Sequence, residues 1–182
     1  MEEKNQSLIE KQIDSKEIYR GKIINVYVDD VLLPNGKQST RELIRHCRAS
    51  AVLAFDEEEN VILEDQFRYP YNDVITEIPA GKADKDEDPI VTAKRELLEE
   101  TGYEAGELTL LGEFYPTVAY TDEIIYLYEA HSLKKKEQHL DDGEALRYYK
   151  VPFAKFLSMV SEGKIKDGKT LASLAYYLAK KH

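Results

Sequence analysis

The segment from Gly81 to Tyr103 constrains this chain more tightly than any other. A polar loop leads to Asp88, whose side chain can accept from the first unpaired helix N–H groups; Pro89 suits the first turn and Gly102 supplies a stop. With about 3.6 residues per turn, Ile90, Ala93, Lys94, Leu97 and Thr101 share one face. Glu96, Glu99 and Glu100 fall within roughly a 100° arc, expected to face away from it. Like charges at these spacings each cost a helix about 0.2–0.5 kcal/mol, so the three carboxylates need either open solvent or a compensating cation.

Hard divalent cations take oxygen ligands and are commonly shared between a few carboxylates, waters and substrate phosphates. The spacing here is Gly81, five residues, Glu87, seven residues, Arg95-Glu96-Leu97, one residue, Glu99-Glu100, one residue, Gly102-Tyr103. This pattern resembles the Nudix box, and it sits on the loop, helix and stop that the motif requires. The resemblance implies an α/β (α+β) fold, a Nudix α/β/α sandwich with a mixed β-sheet and an N-terminal antiparallel β section. It implies Mg2+, with Mn2+ as a possible substitute, held by Glu96, Glu100, often Glu99, and the backbone carbonyl of Ala80. Glu87 and Arg95 are implied as an ion pair fixing loop to helix, and Gly81 and Gly102 as structural glycines. Cations of this kind neutralise a pyrophosphate and lower the pKa of an attacking water, so no covalent enzyme intermediate is required.

The remaining pattern is compatible with that fold. Lys16 to His46 reads as strands around the turn Pro34-Asn35-Gly36-Lys37, and Ala49–Phe55 pairs with Val61–Arg68 across an acidic turn. Further strands are expected at Asp73–Ala80, Glu107–Tyr115, Glu123–Ala130 and Leu146–Val151, with helices at Phe153–Glu162 and Thr170–Lys181. Lys134 to Gly143 reads as a charged, mobile and functional loop. Residues 1–46 are expected to form a β-rich arm and residues 47–182 the hydrolase domain.

Of 182 residues, 42% are hydrophobic and 33% charged, which fits an ordinary packed core. A formal charge of −10 disfavours nucleic-acid backbone binding. No run reaches the ~18 apolar residues of a membrane span, so no membrane partner is expected. The single cysteine, Cys47, excludes an intrachain disulfide, fits a cytoplasmic location and is given no part in the mechanism.

Outside the box, Glu64-Asp65-Gln66-Phe67-Arg68, Glu77-Ile78-Pro79-Ala80-Gly81-Lys82, Phe114-Tyr115-Pro116, Asp122-Glu123 and Glu162-Gly163-Lys164-Ile165 are similar to bacterial ADP-ribose pyrophosphatases. That similarity implies a nucleoside-diphosphate substrate, ADP-ribose before others, and a homodimer that exchanges its N-terminal arm. It implies Arg68, Glu77 and Glu123 at the substrate, although Arg68 serves equally well as a structural strand arginine. On the late acidic loop it implies Glu144, then Asp142, as general base or additional ligand beside Glu99; a solvated loop acid is the alternative. One departure stands out, because Thr117-Val118-Ala119 replaces the usual Ser-Pro-Gly. It leaves open a broader nucleotide-sugar or nucleoside-diphosphate pyrophosphatase, and a non-catalytic ADP-ribose sensor is the reading from another class.

Overall fold

A computed structural model of the chain describes residues 6–181. They divide into two compact units, one running to His46 and including Thr117–Glu123, the other comprising Cys47–Pro116 and the chain from Ile124 onward. The segment Thr117–Glu123 thus belongs with the N-terminal residues rather than with the strands that flank it.

The first unit is an antiparallel sheet in the order β1 (Lys11–Arg20), β2 (Asn25–Leu32), β3 (Gln38–Arg45). β1 starts five residues before the expected Lys16, because the register pairs Lys11 with Leu32 and Gln12 with Val31. The predicted turn closes β2 onto β3, with Gly36 at φ 79° and Lys37 N–H donating to Asn35 Oδ1 at 3.0 Å. Asp29 is buried in this unit and accepts from Gln12 and Ser15 at 2.9 and 2.6 Å. Thr117–Glu123 is tied to β3 by Ile44 N–H donating to Tyr120 O at 2.7 Å and His46 N–H donating to Asp122 Oδ1 at 2.8 Å.

In the second unit, β4 (Ala49–Ala54) lies at the centre of a mixed sheet ordered β7 (Ala80–Lys82), β4, β10 (Ile125–His131), β9 (Glu107–Phe114), with β10 parallel to β4. A second, antiparallel sheet is ordered β12 (Leu146–Pro152), β5 (Asn60–Arg68), β6 (Asp73–Glu77). Alternation along β4 separates two cores. Ala51, Leu53 and Phe55 pack with Phe156, Leu174 and Tyr177 of helices α2 (Phe153–Ser161) and α3 (Gly168–Lys180). Val52 and Ala54 pack with Ala93 and Leu97 of α1 (Pro89–Thr101). Helices therefore cover both faces, giving the sandwich.

The expected strand Asp73–Ala80 is two strands. β6 stops at Glu77, and after Ile78-Pro79 the chain leaves β5 and pairs Ala80 with Ala51 of β4. Pro79 has no N–H for a ladder, but its carbonyl accepts from Val52 N–H at 2.9 Å. This switch delivers Ala80-Gly81 directly against α1.

The charged loop after β10 also differs from expectation. β11 (Lys134–Lys135) pairs with β8 (Tyr103–Glu104), and the following residues dock on the C-terminal end of α1. Lys135 Nζ donates to Thr101 O at 2.9 Å, Lys136 N–H to Gly102 O at 2.7 Å, His139 N–H to Glu99 O at 3.1 Å, and Gln138 Nε2 to Glu100 O. Carbonyls that an α-helix leaves unpaired at its end are satisfied in this way, so Lys134–His139 is fixed in place.

Candidate active site

The chemistry-bearing helix α1 begins as its sequence dictates. Asp88 caps it through Ile90 N–H at 3.0 Å, Pro89 opens the first turn, and Gly102 ends it at φ 66° with its N–H on Leu98 O. The three glutamates differ in exposure. Glu96 and Glu100 are buried with Ala93 and Leu97, and only Glu99 is partly open. The reason lies in β7, because Ala80-Gly81 covers that side of the helix. Ala80 N–H donates to Glu100 Oε2 at 2.9 Å, and a Cβ on Gly81 would come within 2.0 Å of the Glu96 carboxyl carbon. Any side chain at residue 81 would have to displace the Glu96 carboxyl.

Arg95 organises the outer edge. Its guanidinium donates to Glu87 Oε2 at 2.9 Å, Glu96 Oε1 at 2.8 Å, Glu99 Oε2 at 3.0 Å and Lys82 O at 2.9 Å. Glu87 also accepts from Thr92 Oγ1 and Asp84 N–H, and the Arg95 bonds hold its carboxyl at about 2. One arginine so locks the loop to the middle of α1.

A cleft of about 290 Å³ opens here, and Ala80, Gly81, Arg95 and Glu96 line it together with Gln66, Arg68, Asp141 and Glu144. Glu144 arrives through a turn in which its N–H donates to Asp141 O at 3.0 Å, with Gly143 at φ 89°. Asp141 rather than Asp142 reaches the lining. Burial pushes Glu96 up to about 7 and Glu100 further, and neighbouring carboxylates push both the same way: Glu99 and Glu144 act on Glu96, and Glu64, Glu96 and Glu144 on Glu100.

Arg68 connects this cleft to a second one, of about 330 Å³, lined by Tyr71, Ile75, Glu77, Lys166, Asp167 and Lys169 among others. Its Nε and Nη2 form a fork on Glu77 at 2.6 and 2.7 Å, and Glu77 also accepts from Lys169. Burial works against the ionised Glu77, but the two cations hold its carboxyl below the usual range. Glu77 therefore holds Arg68 in place from behind. Glu123 is a residue of the first unit, where its carboxylate faces His46 Nδ1 at 3.4 Å.

Two residues of this region escape a reading of the sequence. Lys169 sits in a helical run of small and apolar residues, and nothing local marks it. Glu64 leaves a signal in hindsight, as a carboxylate directly after Val61-Ile62-Leu63 in a strand buried on both faces. It is fully buried, and neither of its oxygens has a hydrogen-bond partner.

The donor set fits a hard cation. Burial raises the proton affinity of Glu64, Glu96 and Glu100, and the nearby Glu144 adds to the rise in each, the response of acids crowded together away from water. Among the described residues no three acidic, His or Cys side chains already stand in ligand geometry. Arg95 and the Ala80 N–H occupy oxygens of Glu96 and Glu100 instead.

Comparisons with known proteins agree with this geometry. The NUDIX domain family matches residues 45–174, and the nucleoside diphosphate sugar hydrolase N-terminal domain matches residues 10–44. An ADP-ribose pyrophosphatase of Bacillus subtilis (strain 168) is 42% identical over 172 residues, 93% of each chain. A methanol dehydrogenase activator of Bacillus methanolicus is 43% identical over 169 residues, 92% of this chain and 91% of its own. The crystal structure of an ADP compounds hydrolase has the same fold, with a TM-score of 0.85 over 96% of this chain and 95% of that one at 20% identity. A buried carboxylate helix set against Ala80-Gly81, and relatives matching along nearly the whole length, place the chain in the Nudix hydrolase family, beside bacterial ADP-ribose pyrophosphatases.

Proposed function

We propose that the protein hydrolyses the pyrophosphate bond of ADP-ribose to AMP and ribose 5-phosphate, using Mg2+ or, in its place, Mn2+. The carrying observation is the cleft that Glu96, Ala80-Gly81, Arg68 and Glu144 line together. The choice of ADP-ribose draws on the Bacillus subtilis relative's name and its 93% coverage.

Glu96, Glu100, Glu99 and the Ala80 carbonyl are the groups that would hold the cation, which when bound supplies charge neutralisation and activates water for in-line attack. Arg95 takes one oxygen of Glu96 and one of Glu99, which leaves the other oxygen of each for the cation. Arg68 binds a substrate phosphate oxygen through Nη1, the nitrogen outside its fork with Glu77. Glu144, which also lines the cleft, accepts the proton of the attacking water, with Asp142 on the same turn as the second candidate. Substitution Glu144→Gln is expected to lower kcat by about 10²–10⁴ while cation binding persists.

A homodimer built through residues 1–46, a role for Glu123 at the substrate and a cytoplasmic location belong to the same proposal; no described helix is long and apolar enough to cross a membrane. Rates with ADP-ribose, ADP-sugars, GDP-mannose, NADH and oxidised nucleoside triphosphates test the substrate. A strong preference for another member of the panel would replace ADP-ribose. The second reading, a broader nucleotide-sugar pyrophosphatase, is favoured by Thr117-Val118-Ala119 and by the family matched at residues 10–44. A non-catalytic sensor requires binding of ADP-ribose without turnover.

A further inference from the structure

Glu64 has no place in the scheme above, yet its surroundings are those of the cleft. Strand alternation sets its direction. Val61 and Leu63 pack on the α2 and α3 side, whereas Ile62 packs on the α1 side. Glu64 therefore shares the α1 side with Gln66 and Arg68, both of which line the carboxylate cleft. In the register it stands opposite Glu77 on β6 and Tyr148 on β12. The charged groups that act on it are Lys169, Glu77, Arg68 and Glu144, and it acts in turn on Glu100.

An ionised carboxylate out of contact with water is costly unless it is paired. Here the cations are committed to other acids: Lys169 to Glu77 and Asp167, Arg68 to Glu77, Arg95 to Glu87, Glu96 and Glu99. Both Glu64 oxygens are left without a partner at zero exposure. A core position with apolar residues before it is better filled by Val or Leu unless the carboxylate meets something else.

We propose that Glu64 is a further oxygen ligand of the divalent-cation site, acting beside Glu100 from the β5 floor of the cleft. The inference rests on the cation reading of that site, and the experiment separates the two. Mn2+ and Mg2+, each alone and without substrate, are titrated into the full chain by calorimetry and by thermal shift. Wild type, Glu64→Gln and Glu64→Val are compared. Both variants are expected to melt at or above the wild-type midpoint without metal, since an unpaired buried charge is gone. Both are expected to need at least tenfold more cation for half-saturation, in the range seen when groups supporting a metal site are lost. Equal cation affinity in wild type and Glu64→Gln overturns the ligand role and leaves the cation site standing. Absence of cation uptake by wild type overturns both. Failure of the isosteric Glu64→Gln to fold also overturns the proposal, because it would mean that protein contacts already satisfy the carboxylate.

Discussion

At the scale of single residues, Gly81 carries a sharp constraint. A methyl group there would overlap the Glu96 carboxylate, so Gly81→Ala must either rotate Glu96 or push β7 off the helix. Its expected result is a loss of activity comparable to Glu96→Gln, with a measurable fall in the thermal midpoint that Glu96→Gln does not share. Glu96→Gln and Glu100→Gln are each expected to lower kcat by orders of magnitude while the protein stays folded, because both carboxyls are buried where a neutral group is tolerated. Circular dichroism melts beside initial rates read both outcomes. The spacing of these residues was legible in the sequence. Their burial was not, because it depends on Ala80-Gly81 arriving from a strand pairing that helical periodicity does not encode.

Among the elements, α1 is held by its loop at one end and by Lys134–His139 at the other. Glu87→Ala removes the partner that fixes Arg95, so Arg95 is free to turn further onto Glu96 and Glu99. The expected outcome is weaker activation by Mg2+, seen as a higher metal concentration at half-maximal rate. Gly102→Ala places a side chain at φ 66° and close to the Gln138 backbone, and should destabilise by about 1 kcal/mol or more. Asp88, Pro89 and Gly102 made this helix readable to within a residue. The split of Asp73–Ala80 into β6 and β7 was hidden because each half has strand-like composition, and only the β4 partner distinguishes them. Docking of the Lys134 loop was hidden for a related reason: its lysines read as solvated charge, while their partners are helix-end carbonyls far away in sequence.

For the whole molecule, the buried acids make stability depend on pH in a definite direction. Burial raises Glu96 from 4.5 to about 7, and raises Glu64 and Glu100 as well. Between the unfolded value and these folded values the native state binds more protons than the unfolded chain, so metal-free stability falls as pH rises through that window. Each such group contributes about 1.4 kcal/mol per pH unit, or about 3–6 °C for a chain of this size. The opposite limb comes from Glu87, held at about 2 by Arg95, and from Asp56, which Lys150 and the Asn60 and Glu58 N–H groups hold at about 2 against the effect of burial. Their contribution is lost as pH falls from about 4.5. The metal-free midpoint should therefore peak near pH 5 and decline toward pH 8, and Mg2+ should restore more of it at pH 8 than at pH 5. Differential scanning calorimetry with EDTA or Mg2+ measures this; a flat metal-free profile between pH 5 and 8 would mean that the acids are compensated within the protein.

The central claim, pyrophosphate hydrolysis by the α1 carboxylates, is tested most directly by phosphorus NMR of ADP-ribose incubated with Mg2+ and either wild type or Glu100→Gln. The account predicts AMP and ribose 5-phosphate in equal amounts from wild type and almost none from the variant. Wild-type protein that leaves ADP-ribose and related nucleoside diphosphates intact, or a variant that cleaves at the wild-type rate, would contradict it.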